Sequence, residues 1–524
     1  MKKKFRFFMA AFAAVGLMAS CSSEEVTPVD PDNTGKPGIE EGEGTYATFY
    51  LDQVKTKATT FDPPTSGSTS ENDNNDGDLA YTDVRLLIFD SQTKALEINE
   101  LFGTDARKTV LVQVGNKKIF AVANAQGDLK SHYHDVLETW GPTSGKTLDD
   151  FYALFYNAGT PQALGTTTNR SFDIEPLHKH ARTTVGLPAS NTNAIEYELK
   201  ANIEREDAHN DPNPSTGGTS DNNAFKIELV YMIAKARLHL GQPITSIVSG
   251  GDKVSNITYT IRNLARVTNF VQNVVAGVPR SYYYTKYDLG TTAAEFLLDF
   301  DLASKMQTTA ITETPGDYLY VPENNNQLLR RGQSSHFVIK AKFEPGKVVT
   351  DAKYYTSGIV ETVKTLAEIG GNMDYVYTLT EDIPGIPAGK YFTSLAILQK
   401  TAWLYAKNAE WTGSPTQLAE AEAIVNTANE KATGSDDPLY YQFYNAQSWY
   451  RLDIGESTTG ANLRPGVLRG NAYNAKINTI TGPGVPDEGE VEIDPEQPVV
   501  SMTYISAVIE VKKWDLKYQS GDLK

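Results

Sequence analysis

A chain of 524 residues with one cysteine, Cys21, cannot close an internal disulfide. Its durability must come from hydrophobic burial and sheet hydrogen bonds. Cations are in the minority: Lys and Arg number 48 against 65 Asp and Glu, a formal charge of −17. That balance excludes binding to nucleic acid, which needs Lys and Arg lined up on phosphates. The apolar run at 7–17 is too short to span a bilayer. Signatures of catalysis are missing too: there is no HExxH, no Gly-x-Ser-x-Gly elbow, and no spacing that isolates a catalytic carboxylate pair. The chain reads as a non-enzyme, and nothing in it calls for a cofactor.

Aromatics are plentiful. Twenty-eight Tyr and 20 Phe, with many Val, Ile and Thr, lean the chain toward β structure. Lys2, Lys3, Lys4 and Arg6 form a basic head in front of the run at 7–17, which reads as a signal-peptide core. Met18, Ala19 and Ser20 lead into Cys21, an arrangement similar to a lipobox, so Cys21 is the expected lipidation site. The alternative is a plain secretory signal with a chance cysteine.

Residues 26–44 are rich in Pro, Gly and acids and read as a tether. Ala47, Phe49 and Leu51 then fall on one side of an extended segment. Lys55 and Lys57 follow at once, and the Lys57-Ala58 bond lies in polar surroundings open to a trypsin-like protease, with Lys55 as the other choice. Cutting there would remove tether and strand together.

Short β-rich runs at 84–89, 110–114 and 118–124, punctuated by Gly, Asn and Asp, predict a β-sandwich, with a helix over 148–155. Residues 202–223 read as a polar loop and 227–240 as a strand. Gly, Ser and Pro at 241–252 mark a domain boundary. Further β-rich runs lie at 257–261, 282–284, 318–321, 337–343, 402–405, 440–444 and 473–480. The expected helix past the boundary is 417–431, with Leu418, Ala421, Ile424 and Val425 on one face.

The expected division is a signal peptide at 1–21, a removable tether and strand at 22–57, and β-sandwich domains at 58–243 and 244–481. An acidic Pro-rich spacer at 482–498 and a last strand at 499–524 complete it. The spacer cannot form a core, yet the strand beyond it alternates Ile505, Ala507, Ile509 and Val511 on one face. Apolar parity switches at Lys512 and Lys513 toward Trp514, consistent with a bulge. An apolar strand on a solvated leash must be buried somewhere. A leash of about 17 residues at roughly 3.1 Å each reaches about 50 Å, enough to fold back or to cross to a neighbour. Ile505, Ala507, Ile509, Val511 and Trp514 are therefore candidate donor residues. The gap left by Ala47, Phe49 and Leu51 is the candidate acceptor, filled by β-augmentation.

With these features in place, the chain resembles the Bacteroidales fimbrilins, the type V pilins, and within them the shaft subunits of the short fimbriae of Porphyromonas. The resemblance runs through Cys21, the segment before Lys57-Ala58, 118–124, 233–237, 331–332 with 337–343, 467–473, and the spacer and strand ending at Trp514. It implies two tandem transthyretin-like β-sandwich domains. It also implies export to the outer membrane as a lipoprotein (palmitate included), the acidic Ser22-Ser23-Glu24-Glu25 serving as a surface-export signal. Processing would then release an extracellular fimbrium polymerised by strand exchange, in support of adhesion and biofilm formation. Implied partners are further copies of the chain, accessory, tip or anchor subunits, the processing protease, and host or bacterial surface ligands. The family usually carries Arg at the cleavage site, where this chain has Lys57.

Other motifs carry less. Gly141 to Thr147 has three residues between its glycines where a phosphate loop needs four. Residues 73–78 suggest a calcium loop, but the spacing is off and no Glu closes it. His132 with His134, and His178 with His180, could each share a strand face, yet surface histidines account for them without a metal. The rival reading of the whole is a monomeric surface lipoprotein that binds glycan or host protein through Tyr282, Tyr283, Tyr284 and Trp449.

Overall fold

The computed structural model describes residues 44–52, 84–102, 107–123, 135–155, 189–190, 196–231, 233–248, 251–265, 273–275, 278–280, 297–298, 310–316, 318–324, 334–370, 374–379, 382–427, 440–458, 462–487 and 505–513. Over these residues the chain is mainly β, with few helices.

Two sheets face each other in the first half. One has the order Arg107–Gln113, Gly44–Asp52, Ala224–Glu228; the other is centred on Val84–Asp90, between Leu96–Leu101 and Gly115–Ala123. Val84–Asp90 is almost continuously apolar because both of its faces are covered. On one face Phe89 and Phe120 pack against Phe151 of the helix Leu148–Phe155, with ring centroids 5.4 and 4.5 Å apart. The other parity, with Leu86, Ile88, Ile119 and Ala121, is buried in the same core as Ala47, Phe49, Val110, Phe225 and Ile227 of the first sheet. The helix lies where its sequence predicts.

A second sandwich repeats the plan. The order Leu319–Pro322, Ile233–Leu240, Asn471–Ile480, Ile505–Lys513 forms one sheet; Lys253–Arg262, His336–Glu344 and Gln447–Asp453 form the other. Ala236, Leu238, Tyr473 and Ile477 share one core with Tyr259, Phe337, Ile339 and Tyr450. Leu229 belongs to the first core and Ala234 to the second, so the chain passes between cores ahead of the expected boundary at 243/244. The expected single strand at 227–240 is three: Ala224–Glu228, Val230–Tyr231 and Ile233–Leu240.

A third layer departs from expectation. Gly358–Lys364, Val348–Tyr355, Tyr391–Phe392, Tyr375–Leu379 and Tyr440–Tyr444 form a five-stranded sheet, packed against helices Leu395–Lys407 and Pro415–Thr427. The 402–405 run is therefore helical, not extended. Ser394 Oγ accepts the Ile397 N–H at its start, and Asn408 closes it in the left-handed region with its N–H on Leu404 O. Between those caps Leu398 and Ala402 fill one core while Trp403 and Leu404 fill another, so the helix is apolar on two sides. In the next helix Ala421 and Val425 are buried but Leu418 is exposed, off the expected face. Among the described residues no helix is long and apolar enough to cross a membrane.

Candidate functional site

Gly44–Asp52 is the middle strand of its sheet. It runs antiparallel to Arg107–Gln113, with Ala47 opposite Val110, and parallel to Ala224–Glu228, with Phe49 opposite Phe225. Both backbone edges are thus hydrogen-bonded. Ala47 and Phe49 are fully buried and Leu51 is 5% exposed, so the three residues read from sequence as one apolar face do line the core. Phe49 stacks on Phe225 with centroids 6.0 Å apart and planes 18° apart. Burying Phe or Leu fully contributes about 1.5–3 kcal/mol each.

Polar residues missed by sequence reasoning clamp the strand from the segment read as a polar loop. Asn223, fully buried, donates from Nδ2 to Thr45 Oγ1 and Tyr46 O at 3.1 Å each, and to Lys200 O at 2.9 Å. The Tyr46 and Thr48 N–H groups donate to Ile203 O and Asn223 O. Asn223 sits at φ 50°, a left-handed position that Asn tolerates better than most residues. On the outer face Thr48 Oγ1 pairs with Thr109 Oγ1 at 2.8 Å, and Thr109 with His209 Nδ1 at 2.8 Å. Tyr50 Oη donates to His209 O at 2.6 Å. His209 ends a short helix, Arg205–His209, inside the supposed loop. Burial pushes the Tyr50 hydroxyl pKa up, and Arg107 works against that. The available sequence signal was an Asn directly preceding a strand, too common to single out.

The last strand, Ile505–Lys513, pairs antiparallel with Asn471–Ile480 of its own chain, from Ile505 opposite Ile480 to Lys513 opposite Asn471. Among the described residues it is an edge strand with one neighbour. Ala507 is half-buried and Ile509 is buried, opposite Ile477 and Ala475; Val511 stands opposite Tyr473. The register irregularity falls between Ile477 and Thr479, opposite Ala507 and Ser506, rather than at Lys512 and Lys513. The strand and its partner are thus brought together within the chain, while the gap-filling strand at 44–52 occupies a different sheet. Cys21, Lys55, Lys57, Ala58 and Trp514 lie outside the described residues.

The remaining motifs resolve simply. Residues 141–147 cap a helix: Thr147 N and Oγ1 both donate to Asp150 Oδ2 at 2.9 Å, and Asp150 N returns a bond to Thr147 Oγ1. Trp449 is 6% exposed in the interior, with Lys340 Nζ 5.0 Å from its ring, so it offers no binding platform. Tyr282, Tyr283, Tyr284, residues 73–78 and the histidines at 132, 134, 178 and 180 lie outside the described residues. Among the described residues no three His, Cys, Asp or Glu gather as a metal site.

No family model matches the chain, and no curated protein matches it. Solved structures align with it over most of its length. A fimbrilin from Porphyromonas gingivalis shares 12% identity at a TM-score of 0.41, over 92% of this chain and 100% of the other. The tip fimbrial protein Mfa3 from the same species, with C-terminal truncation, shares 11% identity at 0.33, over 90% and 100%. A Bacteroides eggerthii protein assigned by inference to cell adhesion shares 14% identity at 0.37, over 91% and 98%.

Proposed function

We propose that the chain is a structural shaft subunit of a cell-surface fimbria. It is exported as a lipoprotein through Cys21, cut at Lys57 and polymerised by exchange of its last strand. The observation that carries this reading is the placement of Gly44–Asp52. The strand lies closest to the expected cut, yet it is the central strand of its sheet, flanked on both sides. Its removal leaves Arg107–Gln113 and Ala224–Glu228 with facing unpaired edges, and leaves Val110, Phe225 and Ile227 without cover. Unpaired sheet edges and an open apolar slot demand a replacement strand.

Ile505–Lys513 is built for that replacement. It is nine residues long, as Gly44–Asp52 is. The expected spacer begins later than 482, because Val485 is buried and exchanges backbone hydrogen bonds with Trp449; residues 486–498, at roughly 3.1 Å each, still reach about 40 Å. Among the described residues the strand bonds one neighbour at home; in the slot it would bond two. Exchange therefore gains backbone pairing as well as burial, offset by the ordering of the spacer.

The monomeric lipoprotein is the second reading, and pairing of the tail within its own chain is the observation in its favour. Cutting discriminates the two. The uncut chain should run as a monomer, and chain cut at Lys57 should give ladders stable to mild detergent. Deleting residues 500–524 should abolish the ladders. Chains that stay monomeric after cutting would decide for the second reading.

A further inference from the structure

Building on the fimbrial reading, we infer that the incoming strand of a second copy lies in the slot in one direction and one register. It runs in the same sense as Gly44–Asp52, with Ala507 in the place of Ala47, Ile509 in that of Phe49, Val511 in that of Leu51, and Glu510 in that of Tyr50, between Arg107 and Lys226.

Two properties of the slot carry this assignment. The first is size. Position 47 accepts only a small side chain, since Ala47 is fully buried opposite Val110, whereas position 49 holds a phenyl ring against Phe225. The tail offers one small residue on its apolar face, Ala507, with Ile505, Ile509 and Val511 around it. The second is charge. Tyr50 stands opposite Arg107 on one neighbour and opposite Lys226 on the other, so both cations project on its face. Arg107 Nη1 reaches the same His209 carbonyl as the Tyr50 hydroxyl, at 3.2 Å. The His209 ring is engaged with Thr109, and the Asp211 carboxylate is the opposing charge, acting on the Tyr50 hydroxyl from nearby. A carboxylate at this position meets two cations of neighbouring strands, where opposite charges across strands are stabilising. In its own chain Glu510 stands opposite Asn474, whose Oδ1 accepts from Arg237 Nε at 2.9 Å, so the cation there is one strand further away and already engaged.

Other alignments fail on the same properties. Sliding the strand by two residues one way sets Glu510 in the place of Thr48, which is fully buried, and presses Ile509 into the space of Ala47. Sliding it the other way leaves Ala507 in the space of Phe49, and the phenyl-sized cavity stays empty against Phe225. Reversing the direction about Ala507 puts Tyr504 at position 50 and Thr503 in the place of Leu51. It also draws on residues ahead of Ile505–Lys513. The assigned register matches nine positions to nine, 504–512 on 44–52, eight of them within the strand.

The test uses the full chain with Cys21→Ser and a specific protease site placed at Lys57. Paired cysteines are introduced at Arg107→Cys and Glu510→Cys, or at Arg107→Cys and Tyr504→Cys. After cutting, the first pair should give disulfide-linked copies on non-reducing gels, because registered cross-strand Cα atoms lie within disulfide reach. Crosslinking of the second pair instead overturns the direction. Ladders without either crosslink overturn the register while leaving the fimbrial reading intact. Failure of the unsubstituted cut chain to form ladders removes the reading on which the register rests. A second set avoids cysteines altogether. Glu510→Lys should slow ladder formation about tenfold, and adding Arg107→Glu should restore much of the rate; equal rates in all three chains contradict the assignment.

Discussion

The first and last strands have the same length and the same alternating apolar pattern, but they hold different places. Gly44–Asp52 has a neighbour on each side, a fully buried Phe49 and a polar clamp built on Asn223. Among the described residues Ile505–Lys513 has one neighbour and lies at a sheet edge. What a strand contributes depends on its station in the sheet, which its own sequence does not encode. A central strand is held by the whole sandwich and leaves only with its covalent connection cut, whereas an edge strand can depart and leave a sheet behind.

The contrast sharpens most under substitution of Phe49. Phe49→Ala should destabilise the uncut chain by about 3–5 kcal/mol, measured by chemical denaturation. Asn223→Ala comes next. It strips four side-chain hydrogen bonds, the one from Lys200 N to Asn223 Oδ1 included, and forces a non-Asn residue into the left-handed region, for a cost of about 2–3 kcal/mol. Ile509→Ala should cost about 2 kcal/mol, at the low end for a buried aliphatic, because an edge strand relaxes around the cavity. A cost for Ile509→Ala equal to that of Phe49→Ala would erase the distinction between the two strands.

Acid should separate the two sandwiches by a smaller margin. His336 is fully buried in the second one; burial, then the charges of Arg451 and Arg262, hold its pKa well below the ordinary 6.5. The unfolded chain takes up that proton first as pH falls. The stability of the second sandwich is therefore full above about pH 6.5 and declines below it, by up to about 1.4 kcal/mol per pH unit. In the first sandwich, burial of Asp90 is outweighed by its bond from Lys117, and its pKa is held down at about 2. That contribution is lost only as pH falls from about 4 toward 2. Glu97, raised by burial, works in the opposite sense. The protection factor of the Ile339 amide, its exchange rate relative to the intrinsic rate at each pH, should fall between pH 7 and 5 while that of Phe49 holds; the reverse order would contradict the assignment of these groups.

Much of this architecture was legible in the residues because strand alternation and turn residues are local. The helix at 148–155, the runs at 84–89, 257–261, 337–343 and 473–480, and the buried face of Ala47, Phe49 and Leu51 all follow from spacing alone. Two things were not legible. Residues 402–405 look like a short strand in isolation; the caps at Ser394 and Asn408 lie outside that window, and the two cores that Ala402, Trp403 and Leu404 fill are set by distant residues. The clamp on the first strand joins Asn223 to Thr45 across 178 positions of sequence, a contact that no local pattern announces. That the last strand pairs with Asn471–Ile480 in its own chain was one of two outcomes its leash allowed.

Polymerisation requires that a slot vacated by Gly44–Asp52 accept Ile505–Lys513 from another copy. Two single-purpose chains isolate that event: an acceptor cut at Lys57 and lacking residues 500–524, and an uncut donor whose slot is still filled by its own strand. Mixed and measured by light scattering, they should form a one-to-one complex that grows no further, while each alone stays monomeric. Two unchanged monomers in the mixture would contradict it.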